Sequence, residues 1–82
     1  MLRIYTSPHC PACARTLALA ERLRALRPAL DVALIDINDP AAEVPPSVIG
    51  TPMYTWNHQA LFWGNPAEAE LFERVDALYG QS

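Results

Sequence analysis

Two short β-type segments, residues 2–6 and 32–37, bracket a glycine-free stretch from 11 to 26, and this pattern restricts the chain more than any other feature. The first segment, Leu2-Arg3-Ile4-Tyr5-Thr6, alternates apolar and polar residues in the manner of a strand. Along the stretch that follows, Leu19, Leu23, Leu26 and Leu30 recur at helical spacing while Arg15, Arg22 and Arg24 fall largely on other sides. Such a stripe is read as core. Pro11 is tolerated in the first helical turn, where its missing N–H would have had no partner, and Pro28 marks the end. The nearly continuous apolar run Val32-Ala33-Leu34-Ile35-Asp36-Ile37 predicts a strand covered on both faces, with Asp36 exposed at its end in preference to serving as a buried proton acceptor. A strand, a helix and a buried strand make a βαβ unit, which forces the two strands parallel through a right-handed crossover.

The remainder is less regular. Residues 41–50 predict at most a short helix, because Pro45-Pro46 blocks continuation and Gly50 provides a stop. Met53-Tyr54-Thr55-Trp56 and Ala60-Leu61-Phe62-Trp63 predict an antiparallel hairpin across Asn57-His58-Gln59. A last helix follows, with Asn65 as N-cap, Pro66 in its first position and Glu68 completing a capping box. Leu71, Phe72, Val75 and Leu78 give its buried stripe, and Gly80 its end. The expected order is β-α-β-(short α)-β-β-α around a four-stranded mixed sheet flanked by helices, in one domain over residues 1–82.

Charge and hydropathy exclude some partners. Six basic residues, all Arg, stand against nine acidic ones, and the net charge of −3 opposes a phosphate backbone, so nucleic acid is not an expected partner. No apolar run approaches the roughly 18 to 20 residues that span a bilayer. The start, Met1-Leu2-Arg3-Ile4-Tyr5-Thr6, has neither the basic region nor the cleavage site of a signal peptide, and a cytoplasmic location is expected.

Cys10 and Cys13 are separated only by Pro11 and Ala12. A bridge closing so short a loop removes little chain entropy, so the pair is read as redox or metal chemistry rather than as a staple. Cys10 falls where the strand-to-helix connection ends, beside the unpaired N–H groups and positive dipole end of the helix, which favours its thiolate. It is the candidate nucleophile. Cys13, three residues on along the same helical face, is placed to resolve a mixed disulfide. His9 would stabilise the thiolate as imidazolium or is an exposed loop residue without a role; both readings stand. A zinc site needs four ligands, and His9 and His58 are the only other soft candidates, His58 being placed in the hairpin turn. Two alternatives to catalysis follow: a copper or zinc carrier, including a metal shared between two chains, and an adaptor that binds through its hairpin. Tyr54, Trp56, Phe62 and Trp63 are read as core, with an apolar docking or dimer patch as the competing reading.

The ordered set of Ser7-Pro8-His9-Cys10-Pro11-Ala12-Cys13 opening a helix, Gly50-Thr51-Pro52 before a hairpin and Gly64 before a last helix resembles the thioredoxin fold in its minimal glutaredoxin-like form. The resemblance covers nearly the whole chain. It implies a thiol–disulfide oxidoreductase in which Cys10 attacks and Cys13 resolves, a cis bond before Pro52, and a Thr51 backbone that pairs with the incoming thiol or peptide. His9, Pro11, Thr51 and Pro52 are the substrate-contacting set on this reading. It further implies protein or small-molecule disulfide substrates, a thiol reductant, no bound cofactor and no metal, with glutathione as candidate co-substrate. The chain is expected as a monomer or as a weak homodimer through the hairpin face. Members that hold glutathione usually carry Lys or Arg shortly before the first cysteine, Val before the cis proline and Gly-Gly with Asp after it; Ser7, Thr51 and Gly64-Asn65-Pro66 stand at those places here.

Overall fold

The computed structural model of the protein describes residues 1–79. Six elements follow one another: β1 (Leu2–Thr6), α1 (Cys13–Leu26), β2 (Val32–Asp36), β3 (Met53–Trp56), β4 (Gln59–Trp63) and α2 (Glu68–Tyr79). The strands form one mixed sheet in the order β2-β1-β3-β4. β1 and β2 run parallel, as the βαβ pattern requires, and β3 and β4 are antiparallel to their neighbours. Among the described residues no helix is long and apolar enough to cross a membrane.

Side-chain alternation sends Leu2 and Ile4 of β1 and Tyr54 and Trp56 of β3 to one face, where they meet Leu19, Ala20 and Leu23 of α1 and Leu71 and Val75 of α2. Both helices therefore cover the same face of the sheet. The predicted leucine stripe is correct at Leu19, Leu23 and Leu30, but Leu26 is half exposed. It ends the helix beyond the sheet and lines the gap between the ends of α1 and α2 with Pro28, Leu30 and Val75. Arg27 leaves the helical conformation at φ −134°, ψ 67°, as the residue before Pro28 must.

The other face differs from expectation. The short helix predicted within 41–50 does not form: Pro45 and Pro46 lack amide donors, and the segment is held by isolated turns. Asp36 and Asp39 initiate two of them, their carboxylates accepting from the Asn38 and Ala41 amides at 2.9 Å each. β2 is consequently not covered on both faces. It lies at the edge of the sheet, with Val32, Ala33, Leu34 and Ile35 half-buried and Asp36 exposed, the last as expected.

The hairpin is tighter than its sequence suggests. Asn57 and His58 take φ 47° and 73°, a two-residue turn of the mirror-image type, and Gln59 already belongs to β4. A bulge between the Tyr54 and Thr55 positions shifts the register of β4. The aromatic residues split as a result. Tyr54 and Trp56 are core, Phe62 is half-buried with its ring edge-on to Tyr54 at 6.0 Å, and Trp63 is 60% exposed on the face away from the helices.

α2 starts at Glu68, so Asn65 and Pro66 are not its cap and first residue. Asn65 turns inward to the site, and Glu68 pairs with Arg22 of α1 instead of reaching back to close a capping box. Its predicted stripe is otherwise found, with Leu71 and Val75 buried and Phe72 and Leu78 half-buried. Further along, Arg27 grips Asp76 through two hydrogen bonds of 2.7 and 2.8 Å and lies over the Phe72 ring at 5.2 Å. The predicted stop at Gly80 lies outside the described residues.

Candidate redox site

β1 ends at Thr6, and the chain makes two tight turns before α1 begins at Cys13. The Cys10 amide donates to the Ser7 carbonyl at 3.3 Å, and the Cys13 amide to the Cys10 carbonyl at 3.1 Å. The second bond is one turn of tighter helix that brings Cys10 over the mouth of α1. Cys10 and Cys13 are joined in a disulfide, with Cα atoms 5.3 Å apart. Cys10 is half-buried and Cys13 is 6% exposed, so the first sulfur lies outermost and the second beneath it.

The electrostatic setting suits an anion at Cys10. Ala12 precedes α1 without any side-chain cap, and the first turn carries no acidic residue, so the amide dipoles there are uncompensated. His9 is exposed and makes no hydrogen bond or ion pair with any described residue. Pro11 is exposed between the cysteines.

Thr51 and Pro52 are brought to this end of the molecule by the start of β3. The Thr51 hydroxyl lies 3.1 Å from that of Ser7, the same residue whose carbonyl receives the Cys10 amide. The Thr51-Pro52 peptide bond is cis. Pro52 is buried, and its carbonyl accepts the Gly64 amide at 2.9 Å. Gly64 adopts φ +90°, a conformation open to glycine, as the chain turns from β4 toward α2.

That turn delivers the residue that the sequence assigned elsewhere. The Asn65 Oδ1 accepts from the Thr16 hydroxyl at 2.6 Å and the Tyr54 hydroxyl at 2.8 Å, and its Nδ2 donates to the Ala12 carbonyl at 2.8 Å. One amide side chain thus ties the residue before Cys13 to the first turn of α1 and to the central strand β3. Burial holds the Tyr54 phenol above its ordinary pKa, opposed by the Thr16 hydroxyl and by the charge of Arg15. The signal in the sequence was Thr16, a polar residue on the buried face of α1 that needs a partner.

His58, the other candidate ligand, is exposed in the hairpin turn, with Nδ1 3.5 Å from the Arg3 guanidinium. Among the described residues no group of three or more His, Cys, Asp or Glu gathers as a metal-binding cluster.

No family model, curated protein or solved structure matches the chain. Its small α/β architecture, with a four-stranded mixed sheet and the Cys10–Cys13 disulfide, is compatible with a thioredoxin-like fold, and the spacing and pairing of the two cysteines fit a redox-type site.

Proposed function

We propose that the protein is a thiol–disulfide oxidoreductase working through Cys10 and Cys13. The observation that carries this reading is the disulfide between a half-buried cysteine at the open N-terminus of α1 and a buried one directly beneath it. In the reduced protein the Cys10 thiolate attacks one sulfur of a substrate disulfide, and the other substrate sulfur leaves as a thiolate that takes up a proton. The Cys13 thiolate then attacks the Cys10 sulfur, the mixed disulfide breaks, and the second substrate thiol is released. Two electrons pass to the substrate, and the protein is left as the disulfide. Two equivalents of a thiol reductant, for which glutathione is the candidate, restore the dithiol and become a disulfide themselves. Thr51, Pro52, Pro11 and His9 are the side chains and backbone around Cys10 on which a substrate would rest.

The test uses a peptide disulfide and dithiothreitol as reductant. Wild type is expected to turn over and Cys10→Ser to add nothing to the dithiothreitol background, while reduced Cys13→Ser, given the peptide disulfide after dithiothreitol is removed, accumulates a mixed disulfide at Cys10. Reduction by Cys10→Ser at the wild-type rate overturns the reading.

A further inference from the structure

The face of the sheet away from the helices carries a cavity of about 530 Å³ that the cysteine chemistry does not use. Its volume lies in the usual range of small-molecule sites. It exists because the segment after β2 forms turns rather than a helix, and residues 42–45 lean over the sheet without filling the space. Ile35, Val44 and Pro45 supply apolar wall.

Three side chains that can donate a hydrogen bond line this space. Arg3 lines it and, among the described residues, pairs with no carboxylate and has the His58 ring, at 3.5 Å, as the one hydrogen-bond partner of its side chain. A guanidinium offers five N–H donors, so most are unused. His58 lines the cavity beside it, and with Nδ1 turned to Arg3 its other ring nitrogen can donate a hydrogen bond. Tyr5 is 2% exposed, and its hydroxyl bonds to no described residue. Because no fully enclosed polar side-chain atom lacks a partner among the described residues, the small accessible area left to Tyr5, which lines the cavity, includes that hydroxyl. A nearly buried hydroxyl and an unpaired guanidinium on one apolar-walled space are incompletely satisfied as they stand. Glu43 lines the same space without pairing with Arg3, and its charge opposes a polyanion such as a nucleotide.

We infer that this cavity binds a small organic monocarboxylate with an apolar body: the carboxylate on Arg3 and His58, a hydrogen bond from Tyr5, and the body against Ile35, Val44 and Pro45. The site is independent of Cys10 and Cys13. The experiment is a titration of the oxidised full chain with phenylpropionate, followed by amide chemical shifts. Saturable shifts are expected at Arg3, Tyr5, Ile35 and Val44, with the neutral phenylpropanamide giving none of comparable size. Arg3→Met should weaken binding about tenfold or more, the effect of losing one charge-assisted pair. Tyr5→Phe removes a single oxygen and should weaken it several-fold, and Glu43→Gln should strengthen it. If Arg3→Met does not fold, Val44→Trp, which fills the space from the covering loop, should abolish the shifts. Absence of saturable shifts at millimolar phenylpropionate, equal response to the amide, or unchanged binding in Tyr5→Phe and Val44→Trp overturns the inference.

Discussion

Replacing Asn65 by Ala removes the tie between the cysteine turn and the sheet, and the geometry sets the size of the loss. Three hydrogen bonds disappear, two accepted at 2.6 and 2.8 Å and one donated at 2.8 Å. They do not count equally. The Ala12 carbonyl keeps the Thr16 amide at 3.3 Å, and the Thr16 hydroxyl can fall back on that same carbonyl at 3.3 Å. Tyr54 has no such second acceptor on the backbone among the described residues, but its hydroxyl and that of Thr16 share the Asn65 Oδ1 at 2.8 and 2.6 Å, which leaves the Thr16 hydroxyl near enough to offer a relayed bond. A stranded buried hydroxyl costs about 1–3 kcal/mol, and the relay holds the expected loss to about 1–2 kcal/mol. For a chain of this size that corresponds to a fall in Tm of about 4–16 °C. Urea unfolding of the oxidised protein measures it, with an unchanged m-value. The partner prediction is coupling: Tyr54→Phe should cost clearly less in the Asn65→Ala background than in wild type, by at least about 0.5 kcal/mol. A loss for Asn65→Ala below about 0.5 kcal/mol, or strict additivity of the two changes, refutes the network as a structural tie.

Other predictions concern pH and the Arg27 clasp. Tyr54 is held above its ordinary pKa of 10.0 by burial, so above that pH the unfolded chain ionises more readily than the folded one and stability falls as pH rises. Stability measured through that range should fall less in Tyr54→Phe than in wild type; equal slopes would contradict the assignment. Asp76 is held below its ordinary value of 3.8 by the Arg27 hydrogen bonds, so its contribution is present above that pH and is lost as pH falls through the lower folded value. Asp76→Asn should therefore be less stable than wild type at neutral pH and converge with it in acid, and a constant difference down to the acid limit would contradict this.

The parts of the fold that local pattern controls were legible. The alternation of Leu2–Thr6, the buried spacing of Leu19 and Leu23 and the proline after Arg27 each specify their own conformation, and the parallel pairing of β1 with β2 follows from them. Cys10 and Cys13 were also legible as a pair, since two residues between them suffice for one turn to join Cys10, just before α1, to Cys13 at its first position. What failed was decided by contacts distant in sequence. Asn65 satisfies every local rule for an N-cap, yet two buried hydroxyls on α1 and β3 compete for its amide and win. The apolar run of β2 suggested cover on both sides, but cover depends on residues 41–50, where two prolines deny a helix its donors. Trp63 was read as core by type. A one-residue bulge in the hairpin, invisible to alternation, precedes its placement on the open face.

The central claim is that Cys10 is an activated thiol, and the pH dependence of its alkylation in the reduced protein tests it most directly, read by mass spectrometry with Cys10→Ser as control. The uncapped, acid-free start of α1 predicts one rapid modification, at Cys10, with an apparent pKa clearly below the ordinary thiol value of ~8.5. Two slow and equivalent cysteines titrating near ~8.5 would contradict it.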